Sequence, residues 1–293
     1  MKIRNSDRSG ILKLPKYNQF LDYLETEYKP YLSEFFGGKD KLLFLHPFYT
    51  LAYAKRFYLA LQYFHLYFPK NGVNVLDVGG YPGTMLKLLR KYSTGKLDLY
   101  QCGLFHDPGF LIEMESYNIE MLLPVDIDPP AHYKKELEEK HQFIINSANE
   151  TVDFIVFTEV IEHLVYPLHF LAEAYRILKP GGRIFITTPN IAKSSAWVRV
   201  LLGKSNLDPL KQTQIYMNGN WRGHVRLYSK EELTSLLCDL NFNILESTAI
   251  NNGDYSIQKT SLLRKLDFAI RLVIEFILPW TKPGLLVVAE KPT

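Results

Sequence analysis

Apolar residues change their spacing about a quarter of the way along the chain, and two kinds of structure follow from the change. Over residues 17–68 the recurrence is helical and predicts helices at Asn18–Leu32 and Pro47–Phe68. The second is apolar nearly all round (Phe48, Tyr49, Leu51, Tyr53, Phe57, Leu61, Phe64), interrupted by Lys55, Arg56 and Gln62. A helix of that kind is buried, sits in an interface or lids a pocket, and burial against a following sheet is the commonest outcome. From residue 73 short β-rich runs alternate with helical ones. Strands are expected at 73–78, 97–102, 119–125, 152–158, 182–188, 242–248 and 284–290. Strands alternating with helices imply a parallel sheet, with a ligand site at the carboxyl ends of its strands.

Three stretches stand out from this rhythm. Helix 168–178 runs into Lys179-Pro180-Gly181-Gly182, where glycine supplies a left-handed cap and proline stops the helix. Residues 191–228 are poorly patterned, and a loop of that length between core elements is usually functional. Residues 261–278 form a helix with Arg264, Asp267, Arg271 and Glu275 on one narrow face and apolar residues elsewhere. Its charges argue against a membrane span, and its apolar face suits burial, dimerisation or shallow lodging in a membrane surface.

Composition narrows the class only a little. The apolar fraction of 47% and charged fraction of 22% are those of a globular protein. A net charge of +3 with no long basic run speaks against nucleic acid as a partner. Two cysteines, Cys102 and Cys238, read as reduced core thiols of a cytoplasmic protein, and no secretory signal follows the N-terminus.

The chemistry begins at Asn74-Val75-Leu76-Asp77-Val78-Gly79-Gly80-Tyr81-Pro82-Gly83: a buried strand ending in an acid, a glycine turn, then a helix from Thr84. Such a turn brings backbone N–H groups close to a nucleotide-like ligand. Downstream follow Val152-Asp-Phe-Ile-Val-Phe-Thr-Glu-Val-Ile-Glu-His163 and Phe170 to Pro189, with its Lys-Pro-Gly-Gly strand entry. In this order the motifs resemble the class I S-adenosylmethionine-dependent methyltransferases over roughly residues 72–293. The resemblance implies a Rossmann-like, seven-stranded, mostly parallel sheet with helices on both faces and an antiparallel last strand. It divides the chain into an N-terminal helical extension or lid (1–70) and a methyltransferase domain (71–293), with 191–228 as an active-site loop and 261–278 as an apolar helix.

The resemblance also assigns residues. Asp77, Gly79, Gly80, Tyr81 and Gly83 would hold S-adenosylmethionine, with Tyr81 standing where the family usually has its middle glycine. The second strand lacks the acid that usually accepts the ribose hydroxyls. Asp126 near the third strand and Asp107 are the alternatives, and Asp128-Pro129-Pro130 reads as a turn. At the fourth strand's end His163, with Glu162, is a candidate general base for methyl transfer to a hydroxyl. Glu159, Glu162 and His163, joined by His224, equally resemble a divalent metal site (Mg, Mn or Zn) of small-RNA and ubiquinone-pathway methyltransferases, with Glu159 and His163 on one helical face. Metal, base and purely structural service all stand at this point. The implied acceptor is an oxygen of a small molecule, sugar or lipid-linked glycan. The alternatives are an RNA terminus, a polyprenyl phenol, or no catalysis at all in a binding subunit. The apolar helices add a homodimer or membrane-surface contact to the partners considered.

Overall fold

A computed structural model describes residues 11–29, 31, 47–104, 108–128, 144–207, 223–253 and 262–293. Its centre is one seven-stranded sheet: β1 (Asn74–Val78), β2 (Asp98–Cys102), β3 (Ile119–Met121), β4 (Val152–Thr158), β5 (Leu178–Pro189), β6 (Asn243–Ile250) and β7 (Gly284–Glu290). The strand order is β3-β2-β1-β4-β5-β7-β6. The first five strands run parallel, while β7 pairs antiparallel with both β5 and β6. The chain lays strands outward from β1 to β3, then returns to the other side of β1 with β4. Order therefore reverses between β1 and β4, and the crevice beyond their carboxyl ends is where open α/β sheets bind ligands.

Alternation along the strands builds two cores. On one face Val75, Leu99, Phe154, Val156, Phe185 and Val288 meet the N-terminal helices α1 (Tyr17–Thr26), α2 (Pro47–Ala52) and α3 (Ala54–Tyr67), together with α4 (Thr84–Tyr92) and α5 (Pro108–Ser116). On the other, Leu76, Val78, Ile155, Phe157, Ile186 and Val287 meet α6 (Pro167–Ile177) and the later helix α8 (Lys230–Asp239). Between them lies α7 (Ser194–Leu201), and α9 (Leu262–Ile277) precedes the last strand. The expected apolar helix 47–68 is thus two helices broken at Tyr53, packed on the sheet. Phe64 stacks on Phe68 at 4.6 Å and meets Phe154 edge-on at 4.8 Å.

Several boundaries differ from the sequence expectation. The third strand closes at Met121 instead of residue 125: Leu122 N–H makes the last ladder bond, to the Gln101 carbonyl, and the next bond, from Val125, reaches Gly103 beyond the end of β2. Gly181 has φ of 73° yet does not cap α6. The helix is capped by Leu178 in an extended conformation, and Leu178 already pairs with Val152 as the irregular start of β5. Cys102 is buried as expected, whereas Cys238 lies exposed on α8. Asp107, Pro129, Pro130 and residues 208–222 of the long loop lie outside the described residues.

Because Phe64 joins the N-terminal helices to the central strand β4, Phe64→Ala should cost about 3–5 kcal/mol in chemical denaturation. A loss below about 1 kcal/mol would show that these helices are appended to the sheet and do not share its core.

Candidate active site

The turn after β1 is shaped by space. Gly79 and Gly83 have φ of 72° and 79°, a region that glycine enters freely. A Cβ on Gly79 would lie 2.9 Å from Val160, and one on Gly83 2.5 Å from the Met114 sulfur. Beneath the turn, Asp77 is so close that a Cβ on Gly80 would strike its carboxylate. Gly83 is also the N-cap of α4, so the turn delivers its backbone to a helix N-terminus. Tyr81 leans on Phe110 (4.8 Å) and Tyr31 (6.3 Å), which turns its ring toward α5. The bulk that Tyr81 adds at a position where the family usually has glycine is thus packed into an aromatic cluster.

Three buried acceptor atoms lie against this turn with no hydrogen-bond partner among the described residues: both Asp77 carboxylate oxygens and the Oε1 of Gln101. Asp77 and Gln101 are register partners on β1 and β2. Burial pushes the Asp77 carboxyl up to about 7. Unpaired buried acceptors carry a desolvation cost that a ligand with donors or positive charge would offset. Asp126 lies near the end of β2, since Val125 N–H donates to the Gly103 carbonyl (3.2 Å). Its Oδ1 accepts from Asp128 N–H (3.0 Å), and Asp128 itself accepts from the N–H groups of Val165 and Tyr166. Asp128 thus holds the segment after β4, while the turn predicted at Asp128-Pro129-Pro130 runs outside the described residues.

The mouth beyond β4 differs from the sequence picture in one consequential way. Glu159 and His163 do not share a helical face. Glu159 ends β4 with φ of 56°, and only Ile161–His163 form a single 3-10 turn. Adjacent residues of β5 then separate the two acids. Thr187 Oγ1 donates to Glu159 (2.9 Å), while Thr188 Oγ1 donates to Glu162 (2.9 Å). Consecutive strand side chains point to opposite faces, so the two carboxylates diverge. Glu159 turns toward α3 and pairs with Arg56 at 3.1 Å. Glu162 turns the other way and is 1% exposed. Burial and the nearby Glu159 raise its pKa well above the usual carboxylate range.

Glu162 gathers the rest of the site through its backbone. Its carbonyl accepts from Val225 N–H (2.8 Å) and Arg226 N–H (3.1 Å), which fixes the far end of the long loop. His224 is thereby set beside His163, with ring centroids 5.0 Å apart. Glu162 Oε1 lies 3.8 Å from His163 Nε2. One potential ligand atom from each of Glu162, His163 and His224 falls within 4.8 Å of the others. Of the four residues with metal-site chemistry in the sequence, three converge and Glu159 stands apart.

Arg56 is the residue that sequence reasoning passed over. It is buried on α3 under the rings of Tyr53 (4.6 Å) and Phe57 (5.3 Å). A lone arginine in a nearly apolar helix was the available signal, because burying it is costly without an anionic partner. Gln101 gave no such signal.

With this geometry in place, comparison with known proteins is informative. The methyltransferase domain family matches residues 52–247, and the chain belongs to that family. The match spans the boundary expected near residue 70. The mouse mitochondrial ubiquinone biosynthesis O-methyltransferase is 32% identical over 123 residues, 42% of this chain and 30% of that protein. A probable S-adenosylmethionine-dependent methyltransferase of Mycolicibacterium smegmatis is 29% identical over 103 residues, 35% of this chain and 33% of that protein. The matched segments thus span about a third of these relatives. Among solved structures, an S-adenosylmethionine-dependent methyltransferase of Mesorhizobium loti superposes with a TM-score of 0.51 at 12% identity, over 80% of this chain and 96% of that one. The methyltransferase chain of a Haloferax volcanii complex with the Trm112 activator gives 0.52 at 18% identity, over 82% and 91%. At these identities the likeness is one of fold.

The Asp77 reading has a pH signature. Its folded pKa, about 7, lies above the ordinary 3.8, so the folded state holds the proton more tightly. Its contribution to stability is full below about pH 4 and is lost as pH rises to about 7. Relative to Asp77→Asn, the ligand-free wild type should therefore lose up to roughly 4 kcal/mol between those limits. Parallel stability curves for the two proteins would contradict it.

Proposed function

We propose that the protein transfers a methyl group from S-adenosylmethionine to a hydroxyl oxygen of a small or lipid-linked acceptor. The observation that carries this reading is the convergence of Glu162, His163 and His224 across the crevice from the glycine turn. The family implies the cofactor, and the residues present suit it. Asp77 and Gln101 offer unsatisfied acceptors, and the Gly79–Gly83 backbone leaves room for close approach. Asp126 is the acid available to the ribose edge in place of the one absent from β2. S-adenosylmethionine supplies an electrophilic methyl on a sulfonium. Transfer of that methyl to a hydroxyl would release the hydroxyl proton, and taking it up or easing its loss is the task open to this chain's own residues.

The cluster gives that proton two routes. A divalent ion held by Glu162, His163 and His224 would lower the hydroxyl's pKa and orient it. Without an ion, His163 is the imidazole placed to take the proton. We favour the ion, because a buried carboxylate beside two imidazoles is a donor set that suits one. Glu159 has no part in it, being held by Arg56 and Thr187. Its role is to fasten α3 to the mouth, which fits the expectation that the N-terminal helices border the active site. The ubiquinone biosynthesis O-methyltransferases among the relatives support oxygen as the accepting atom.

Titration with Mn2+, followed by electron paramagnetic resonance, needs no knowledge of the acceptor. Wild type should bind one ion, and Glu162→Gln, His163→Ala and His224→Ala should each weaken binding at least about tenfold. Glu159→Gln should leave it within about twofold. Absence of Mn2+ binding, with activity lost in His163→Ala alone once an acceptor is found, would establish the base route instead.

A further inference from the structure

Two amphipathic helices at the rim of the mouth are mounted inside out. Among the described side chains of α9, residues 269–277, the buried one is Glu275, which accepts from Ser194 Oγ of α7 (3.3 Å), and Arg271 is half-buried beside it. The apolar positions face outward: Ile270, Leu272, Val273, Phe276 and Ile277 are exposed, Phe276 by 87%. Of the three outcomes expected for this face, burial within the chain does not occur over residues 269–277. On α7 the same inversion occurs, with Ser194 and Ala196 buried while Val200, Leu201 and the following Leu202 are exposed, Leu201 by 86%. The two helices touch, and Trp280 of the short turn after α9 extends their exposed surface. A contiguous apolar surface of this kind on a water-soluble fold marks an interaction site.

Charge and position indicate its occupant. Residues 191–207 contain Lys193, Arg199 and Lys204 and no acid. Residues 269–283 add Arg271 and Lys282, and their only acid is the buried Glu275. An apolar face margined by the exposed bases Arg199 and Lys204, with Lys193, Arg271 and Lys282 half-buried around it, complements an anionic lipid surface. A second copy of the chain would set these bases against one another. The patch is also fastened to the active site. Asn190, two residues beyond the threonine that holds Glu162, is buried and donates through Nδ2 to the carbonyls of Trp280 and Lys282, both at 2.8 Å. No described helix is long and apolar enough to cross a membrane, so the contact is with a surface.

We infer that α7, α9 and the Trp280 turn dock the protein on anionic membrane surfaces and so bring its mouth to an acceptor held in the lipid. The statement about the acceptor rests on the methyl-transfer reading; the docking does not.

Co-sedimentation of the full chain with phosphatidylcholine vesicles, with and without phosphatidylglycerol, tests this. Binding should require the anionic lipid and weaken with salt. It should fall at least about tenfold in Leu201→Ser/Phe276→Ser, and similarly in the charge reversal Arg199→Glu/Lys204→Glu, whose exposed sites spare the fold. S-adenosylmethionine affinity, measured on the same samples, should stay unchanged. This separates a failure of docking from a failure of the cofactor site. Absence of vesicle binding, or binding indifferent to all four substitutions, would overturn the inference. A wild-type dimer that Leu201→Ser/Phe276→Ser makes monomeric, with no vesicle binding, would overturn it in favour of self-association.

Discussion

The reversal of strand order between β1 and β4 is the constraint on which the rest of this structure depends. It opens a crevice that neither strand's neighbours can close, and it sets two unlike ends side by side. From β1 comes a turn with room for a ligand and acceptors beneath it that lack partners. After β4 comes a knot of two acids and an imidazole, joined by His224 from the far end of the long loop. Parallel pairing of β4 with β5 then sorts that knot, since Thr187 and Thr188 lie on opposite faces and each claims one glutamate. One acid is spent on tying down the N-terminal helices through Arg56, and the other is left buried with two histidines.

What the sequence disclosed, and what it withheld, follows from the range of the interactions involved. The glycine turn, the seven strands and the Glu-His motif were legible because spacing and turn chemistry are local. Glu159 was misplaced because a strand end with positive φ and a single 3-10 turn replace the helix that its spacing suggested. The Arg56–Glu159 pair was invisible because its partners lie far apart in sequence and meet only when α3 packs on the sheet. His224 was reachable by its motif, yet what places it is a pair of backbone hydrogen bonds to the Glu162 carbonyl, which no side-chain pattern encodes. For α9 the charged stripe was plain. Periodicity alone shows that a helix has two faces, not which of them turns inward.

The polar interior of the mouth has a common logic. Asp77 and Gln101 are buried without a hydrogen-bond partner among the described residues, and Glu162 is buried with the Thr188 hydroxyl and His163 beside it, while hydrophobic burial elsewhere on both faces of the sheet carries the fold. Unrepaid polar burial concentrated in one crevice is expected of a site whose partners arrive with the ligand. The inverted helices repeat that logic in apolar form at the rim, where exposed side chains remain uncovered until a surface meets them.

The central claim is that the β1 turn seats the cofactor with its sulfur aimed at the Glu162–His163–His224 cluster. A crystal structure with S-adenosylhomocysteine and Mn2+ tests it most directly. The account predicts the ligand along Gly79–Gly83, in contact with Asp77, with its sulfur facing an ion held by the three clustered side chains. A ligand seated away from that turn, or an ion bound through Glu159 with Glu162 left out, would contradict it.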